Sequence, residues 1–203
     1  VFKTNSRSIR IKTEYGQMDD PVNTSIISAR GYDLYILQDG KWVWASSGVS
    51  PRNDLSKAFK IVDCMDGAEH TCLLYFPTYS EVKSIKIGVE KGATMQSAEN
   101  PFTHRIAIWG SSYTHGSSTS RAGMTYPAQF SRSTGLQLLS LGCSGRCLLQ
   151  DYFCDVLVDV DADKCTACGA CFKACPKGLI ELRKKKPKNR AIYVACRSKN
   201  RGS

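Results

Sequence analysis

Several features that would place this chain in a membrane or on a secretory route are missing from its 203 residues. No apolar run approaches the ~20 residues that a bilayer-spanning helix needs, because charged residues interrupt the longest apolar stretches. No basic segment followed by an apolar one marks a secretory signal. The chain begins at Val1 without an initiator methionine, and we expect that it was cut from something longer.

Acidic residues are almost absent from the carboxyl-terminal part of the chain. Residues 164–203 contain twelve Lys and Arg but a single acid, Glu181, and the net charge of the whole chain is +10. A solvated charged loop is the simplest interpretation, and contact with an anionic membrane face or an acidic redox partner is the next. We expect no nucleic-acid binding, because no aromatic platform is interleaved with these basic residues.

Cysteine, by contrast, is abundant, and four of the ten cysteines form one run in the same tail. Their spacing, C-x2-C-x2-C-x3-C-P, is one that iron–sulfur ferredoxins use. Three thiolates two residues apart on a loop of small residues can surround a cubane, and Gly169 lets the backbone approach it. The run predicts a 4Fe-4S cluster as cofactor, with the metal ligands Cys165, Cys168, Cys171 and Cys175.

Two questions about the cysteines stay open. The cysteine before the proline ligates the other cluster in two-cluster ferredoxins, so a fourth ligand is uncertain, and Cys196 is either that ligand or a buried thiol. A disulfide framework or a zinc site is the alternative for the whole run. Upstream, Cys64 and Cys72 flank a short loop and could pair in an exported protein, or remain free thiols.

The hydrophobic pattern divides the rest of the chain into two parts. Residues 1–100 read as short alternating strands with a hairpin signal at Gln38-Asp39-Gly40, which favours a small β-sandwich. From residue 104 the pattern becomes strand, helix, strand, with a helix expected over residues 126–133 and ending at Gly135. Strands at residues 105–109, 136–141 and 156–160 predict a parallel, doubly wound segment.

Two strand-to-helix turns in this second part carry candidate catalytic residues. Ser112 follows the first of these strands, and Gly145 follows the second. Because α/β folds place their chemistry at the carboxyl edge of the sheet, Ser112 could act as a nucleophile while the Gly145 N–H binds an oxyanion. Gly-Ser turns are common after strands, so a structural role is the alternative.

The residues around these turns resemble a known family. Gly110-Ser111-Ser112 and Gly142-Cys143-Ser144-Gly145 are similar to the first two blocks of SGNH/GDSL-type hydrolases, with Ser111 at the position of the family's name-giving aspartate. Upstream, Gly31-Tyr32-Asp33-Leu34-Tyr35 resembles the Gly-x-Asp-Leu-Tyr signature of the β-sandwich domain that precedes such hydrolases. The resemblance covers residues 20–160. It implies an esterase acting on acyl or carbohydrate esters, with Ser112 as nucleophile and Gly145 in the oxyanion hole.

Other parts of that family pattern are not matched. The family takes an asparagine from a third block and its Asp and His from an Asp-x-x-His, and no counterpart follows residue 160. The three histidines are His70, His104 and His115. Because a serine without a positioned base is a poor nucleophile, we expect negligible ester hydrolysis.

The tail resembles a different protein. Residues 161–203 look like the ferredoxin-type region of the iron–sulfur component of the Rnf electron-transport complex, which implies electron transfer with a redox protein or a membrane electron-transport complex. The sequence thus predicts a mixed fold with domains at residues 1–100 (β-sandwich), 104–160 (partial SGNH, flavodoxin-like α/β) and 161–203 (ferredoxin-like). The leading interpretation is a cytoplasmic iron–sulfur electron carrier, peripheral to the membrane, in a chimeric or truncated chain. An SGNH-type esterase and a non-functional fusion product are the alternatives.

Overall fold

The computed structural model describes residues 1–148. These residues form two units, which are described separately. The first comprises residues 1–103 and 116–135, and the second, as far as the structure describes it, comprises residues 104–115 and 136–148. Among the described residues, no helix has the length and apolar character required to cross a membrane.

The first unit is built from eight strands and two α-helices. Its strands are β1 (Phe2–Thr4), β2 (Ile9–Met18), β3 (Tyr32–Gln38), β4 (Lys41–Gly48), β5 (Phe59–Val62), β6 (His70–Tyr75), β7 (Ser80–Val89) and β8 (Met95–Ser97). Its helices are α1 (Ile26–Arg30) and α3 (Tyr126–Thr134), and a short 3₁₀ turn covers Ala122–Met124. The remaining elements are β9 (Thr103–Gly110), α2 (Ser112–His115) and β10 (Leu136–Gly142), which belong to the second unit except for Thr103, the first residue of β9.

The strands of the first unit form two antiparallel sheets. One has the order β4-β3-β6-β1-β8, and the other has the order β5-β2-β7. The β3–β4 hairpin turns at Asp39 and Gly40, whose φ angles are 50° and 73°. Two successive positive φ values match the twist of the flanking strands and favour an Asp-Gly pair, so the hairpin predicted from these residues is confirmed.

The core of this unit lies between the two sheets. On β2, Ile9, Ile11 and Thr13 are buried while the residues between them are exposed, because successive side chains of a strand point to opposite faces. Both sheets contribute to one cluster of buried side chains: Phe2, Ile9, Ile11, Tyr32, Leu34, Ile61 and Cys72. Full burial of one such aliphatic side chain stabilises the fold by about 1.5–3 kcal/mol.

Helix α3 is capped at both ends, and Gly135 at its carboxyl end is the signal that the sequence analysis used. The Thr125 hydroxyl accepts a hydrogen bond from Ala128 N at 3.4 Å, which satisfies one backbone N–H of the first turn. Gly135 ends the helix with a φ of 75°, a left-handed conformation that suits glycine. The helix predicted over residues 126–133 is therefore confirmed.

The predicted fold class is wrong. The described residues are mainly antiparallel β-sheets with few and short helices, rather than a mixed fold with a doubly wound segment, and no ferredoxin-like segment is present among residues 1–148. In the first unit, β3 and β4 are the one pair of consecutive strands that are neighbours in a sheet, and the other antiparallel pairs join strands that are not consecutive along the chain. Hydrophobic periodicity does not reveal such pairings. The strand predicted at residues 156–160 and the predicted ferredoxin-like domain lie outside the described residues.

Cys64 and Cys72 are both free thiols in the structure. Cys64 is exposed, whereas Cys72 is buried on β6, and burial raises the pKa of the Cys72 thiol to about 11. The reactive species of cysteine is the thiolate, so burial makes Cys72 both inaccessible and hard to ionise, whereas Cys64 is open to solvent.

We expect iodoacetamide at pH 8 to alkylate Cys64 and to leave Cys72 unmodified in the folded protein. Peptide mass spectrometry of the two sites measures this difference, and unfolding in urea provides the control in which both sites react. Equal modification of both cysteines without urea would contradict the burial of Cys72.

Substitution of the core residue Leu34 by alanine should lower the free energy of unfolding by about 2–5 kcal/mol, because the side chain is fully buried and leaves a cavity. Leu37→Ala on the same strand is the matched control, since Leu37 is 38% exposed and exposed sites usually change stability by about 0.5 kcal/mol or less. Urea unfolding measures both changes. A loss for Leu37→Ala as large as that for Leu34→Ala would show that the core is placed incorrectly.

Candidate active site

Hydrogen bonds join β9 and β10 at both of their ends. Thr103 N donates to Gly135 O at 2.9 Å, and Cys143 N donates to Gly110 O at 2.9 Å. The first bond joins the beginnings of the two strands and the second joins their ends, so β9 and β10 are parallel neighbours. Consequently, the two turns that follow these strands begin at the same edge of the sheet, as the sequence suggested for Ser112 and Gly145.

Ser112 is the first residue of the four-residue helix α2, two residues after the end of β9. The helix can lie close to the strand because Gly110 has no side chain, and a Cβ there would overlap the Thr114 hydroxyl. Ser112 is half-buried, and the neighbouring Tyr113 is 82% exposed. The nucleophile candidate therefore lies next to solvent, where a small ester could reach it.

Gly145 lies in a tight turn that follows β10. Arg146 N donates to Cys143 O at 3.0 Å, which closes a four-residue turn, and Gly145 occupies its third position with a φ of 68°. That position of a turn takes a positive φ readily only when glycine is present. The turn is exposed at Gly145, so the backbone there is accessible to a ligand.

His115 joins the two turns. Its backbone is packed directly against Gly142, where an added Cβ would overlap the His115 main chain. Its Nδ1 accepts a hydrogen bond from Ser144 N at 3.3 Å, which requires an unprotonated Nδ1. His115 therefore fixes the start of the glycine turn relative to α2.

The other two histidines lie elsewhere. His104 is near the amino-terminal end of β9, six residues before Gly110, which corresponds to roughly 20 Å along an extended strand. Because Ser112 follows the opposite end of that strand, His104 is not placed to act on it. His70 belongs to the first unit, where its Nε2 lies 2.7 Å from Asp66 Oδ1.

A buried carboxylate in the first unit was not identified from the sequence as a functional residue. Asp33, the acid of the Gly-x-Asp-Leu-Tyr motif, is 0% exposed on β3. Its Oδ1 accepts hydrogen bonds from Trp44 Nε1 and Ser47 Oγ, both at 3.0 Å, and its Oδ2 accepts one from Gly123 N at 2.9 Å. Burial raises the pKa of Asp33, and the bond from Ser47 and the charge of Arg121 oppose this effect.

Asp33 thereby contacts residues 116–125, which we call the 116–125 loop. This loop starts immediately after α2 and ends at Thr125, the N-cap of α3. An acid inside an otherwise apolar strand, within a motif, was the available sequence signal. Its partners could not be inferred because Gly123 is 90 residues away along the chain.

Two family models match the chain in succession. Residues 1–95 match the GxDLY family, the N-terminus of esterases of the SGNH-hydrolase type. Residues 103–202 match the GDSL-like Lipase/Acylhydrolase family. No curated protein sequence matches the chain.

Two solved structures have the same fold as this chain. A protein described as a GDSL-like lipase from Bacteroides ovatus is 40% identical, with a TM-score of 0.76, over 80% of this chain and 48% of the other. The salicylyl-acyltransferase SsfX3 of a tetracycline biosynthetic pathway is 24% identical, with a TM-score of 0.55, over 78% of this chain and 43% of the other. The second likeness shows the fold alone. The chain thus spans about half the length of each of these structures.

The iron–sulfur prediction is wrong. The match to the GDSL-like Lipase/Acylhydrolase family includes the cysteine run, and hydrolases of this kind work through a serine rather than a cluster. Within residues 1–148, no group of three or more His, Cys, Asp or Glu side chains is arranged to hold a metal ion. The expected ligands lie outside the described residues: Cys165, Cys168, Cys171, Cys175 and Cys196.

The physical weakness of that prediction was the fourth ligand. Spacing along a sequence determines which thiolates can share one loop, but it does not bring in the remaining donor that a cubane requires. The comparisons give no support to a link with the Rnf complex or to a chimeric chain, and the expected redox partner stays a prediction.

The contact between Gly142 and His115 gives a test of this site. We expect Gly142→Ala to displace α2 and to lower the melting temperature clearly, because the added methyl group meets backbone atoms that cannot rotate away. Gly88→Ala on β7 is the matched control, since the nearest atoms to its added Cβ are at 3.8 Å, an ordinary contact. Thermal unfolding followed by circular dichroism compares the two. A Gly142→Ala protein as stable as Gly88→Ala would mean that α2 does not pack against β10.

Proposed function

Since this chain is an SGNH/GDSL-hydrolase-like protein over both of its matched regions, we propose that it carries out acyl-ester hydrolysis with Ser112 as the nucleophile. The observation that carries the proposal is the common edge of β9 and β10, where Ser112 begins α2 and Gly145 occupies the adjacent turn. The chain spans about half the length of the similar structures, so activity is proposed for it rather than transferred from them.

The proposed reaction has two steps. In the first, Ser112 Oγ attacks the carbonyl carbon of the ester, its proton passes by way of a base to the leaving alcohol, and an acyl-serine forms as the C–O bond to that alcohol breaks. In the second, water attacks the acyl-serine, releasing the carboxylic acid and restoring the serine hydroxyl. The oxyanion of each tetrahedral intermediate needs N–H donors aimed at it, and the exposed backbone at Gly145 supports its role as one of them.

The family pattern does not provide a base that could accept the proton of Ser112 in this chain. The sequence contains no Asp-x-x-His, and in the second unit His115 Nδ1 already accepts a hydrogen bond from Ser144 N. A weakly activated serine can still be acylated by a reactive ester while turning over slowly. Acylation and turnover should therefore be measured separately.

The substrate class that the site favours is a small acyl ester. Ser112 is half-buried beside an exposed Tyr113, so its hydroxyl lies near the surface. The 40% identical structure is described as a GDSL-like lipase, and that name refers to the hydrolysis of acyl esters. This description supports acyl esters over other substrates.

The sequence alone predicted negligible ester hydrolysis because no positioned base was found, so we expect the full chain to release p-nitrophenol only slowly from the reactive ester p-nitrophenyl acetate while forming an acetyl-enzyme on Ser112. Ser112→Ala should abolish both, because removal of a catalytic nucleophile typically costs several orders of magnitude in rate. Absorbance measures turnover, and peptide mass spectrometry after acid quenching locates the acetyl group and distinguishes Ser112 from Ser111.

Ser84→Ala is the matched control, since it removes an exposed hydroxyl on β7 that donates to the Glu14 carboxylate at 3.1 Å. It should retain the unmodified protein's rate. Equal rates for Ser112→Ala and the unmodified protein, or an acetyl group found elsewhere than Ser112, would overturn the proposed function.

A further inference from the structure

We propose that His115 is a positioning residue for the proposed reaction. Its Nδ1 holds the turn of residues 143–146, which we call the glycine turn, beside the helix that begins at Ser112. The inference rests on the proposed function, because it concerns how the same nucleophile and its oxyanion donor Gly145 are kept together. It gives His115 a part in catalysis as a hydrogen-bond acceptor, and not as the base of the serine.

His115 and Ser112 lie on one face of α2. The helix covers Ser112–His115, and the hydrogen bond that closes its turn runs from His115 N to Ser111 O at 3.1 Å. Residues three apart on a helix are neighbours on its surface, with Cβ atoms about 5–6 Å apart. A group that the His115 ring binds therefore lies near the side chain of Ser112.

The ring of His115 binds the glycine turn through its backbone. Ser144 N donates to His115 Nδ1 at 3.3 Å, and Ser144 directly precedes Gly145 in the turn. The two N–H groups thus have different partners in the proposed site: that of Ser144 binds the histidine, and that of Gly145 binds the oxyanion. Because the two groups are adjacent, the bond to His115 determines how the oxyanion donor is placed relative to Ser112.

The backbone that carries the His115 ring is closely packed. A Cβ on Gly142 would overlap the main chain of His115, and a Cβ on Gly110 would overlap the Thr114 hydroxyl. Ser140 Oγ also donates to Thr114 O at 2.5 Å. The main chain of α2 is therefore held against β10 and the end of β9, so the ring reaches the glycine turn from a fixed starting point.

The bond from Ser144 also determines which form of the histidine can hold the turn. An imidazole nitrogen accepts a hydrogen bond only when it carries no proton, so the neutral ring must have its proton on Nε2. A ring protonated on Nδ1 would place two donors face to face, and the turn would lose this contact with α2. The property required of residue 115 is therefore an acceptor atom at the δ position of the side chain.

The test compares two amides at residue 115 in the full chain. His115→Asn provides an acceptor at the δ position, whereas His115→Gln moves it to the ε position. A shift of about 1 Å at the reacting groups can reduce the rate on the order of 100-fold. We therefore expect His115→Gln to acetylate Ser112 with p-nitrophenyl acetate about 10- to 100-fold more slowly, with KM changed by less than about twofold. His115→Asn should recover most of that loss.

A merely structural role for His115 predicts the reverse order of the two variants. Glutamine forms helices better than histidine or asparagine does, so a residue that only supports α2 would be replaced better by glutamine. Thermal unfolding of both variants measures this effect on stability separately from the rate. A rate for His115→Gln that equals or exceeds the rate for His115→Asn would overturn the inference.

His104→Asn is the matched control. It makes the same change at an exposed histidine near the start of β9, where the φ of 45° suits asparagine. We expect it to keep the rate of the unmodified protein. A loss as large as that of His115→Gln would show that the assay does not report on the contact between His115 and Ser144.

A second pair of variants removes the donor of the bond, and is needed if the His115 variants do not fold. Ser144→Pro deletes the N–H that donates to His115, and proline suits the second position of a turn whose third residue is glycine with a positive φ. Ser144→Ala removes the hydroxyl and keeps the N–H. We expect Ser144→Pro to be acetylated about 10- to 100-fold more slowly than Ser144→Ala, and equal rates would overturn the inference.

The double variant and the ring itself complete the test. Because both changes break one interaction, the losses of His115→Gln and Ser144→Pro should not multiply, and multiplied losses would contradict a shared contact. Nuclear magnetic resonance of the ¹⁵N-labelled His115 ring shows which nitrogen carries the proton, and a proton on Nδ1 would overturn the inference while leaving the proposed function intact. If the unmodified protein gains no acetyl group on Ser112, the proposed function fails and the inference fails with it.

Discussion

The buried carboxyl group of Asp33 constrains the arrangement of β3, β4 and the 116–125 loop. An ionised carboxylate removed from water is costly unless donors surround it, and here the donors come from Trp44 and Ser47 of β4 and from the 116–125 loop. Burial of β3, with the Asp33 side chain inside the protein, therefore requires these hydrogen-bond donors. The aromatic ring of Tyr32 and the side chain of Leu34, the two residues that flank Asp33, complete the core between the two sheets.

Local patterns in the sequence were sufficient for the elements that depend on neighbouring residues. Asp39-Gly40 predicted a hairpin, and Gly135 predicted the end of α3, because the conformations required there are properties of those residues themselves. The local prediction was incomplete elsewhere. Residues 26–30 form α1 within a region that was predicted as strands, since the Ser25 hydroxyl accepts from Ser28 N and starts a helical turn.

In the candidate site, too, local sequence patterns predicted the turns but not the contacts between distant parts of the chain. The turn positions of Ser112 and Gly145 followed from the glycine-rich segments after two apolar strands, and the structure places both turns at one edge. The attachment of the 116–125 loop could not be predicted, because its contacts join residues about 90 positions apart. The cysteine run led to the wrong cofactor for a related reason, since close spacing within a segment does not establish what the rest of the protein brings to it.

The long sequence separation between Asp33 and Gly123 also has a consequence for the order of folding. Closing a contact over 90 residues carries an entropic penalty that is offset only when the surfaces it joins are already formed. During synthesis, β3 and β4 leave the ribosome well before the 116–125 loop does. The hairpin that carries Asp33, Trp44 and Ser47 can therefore form before the loop binds to it. The 116–125 loop would then acquire its geometry last, when Gly123 pairs with Asp33 on strands that are already formed.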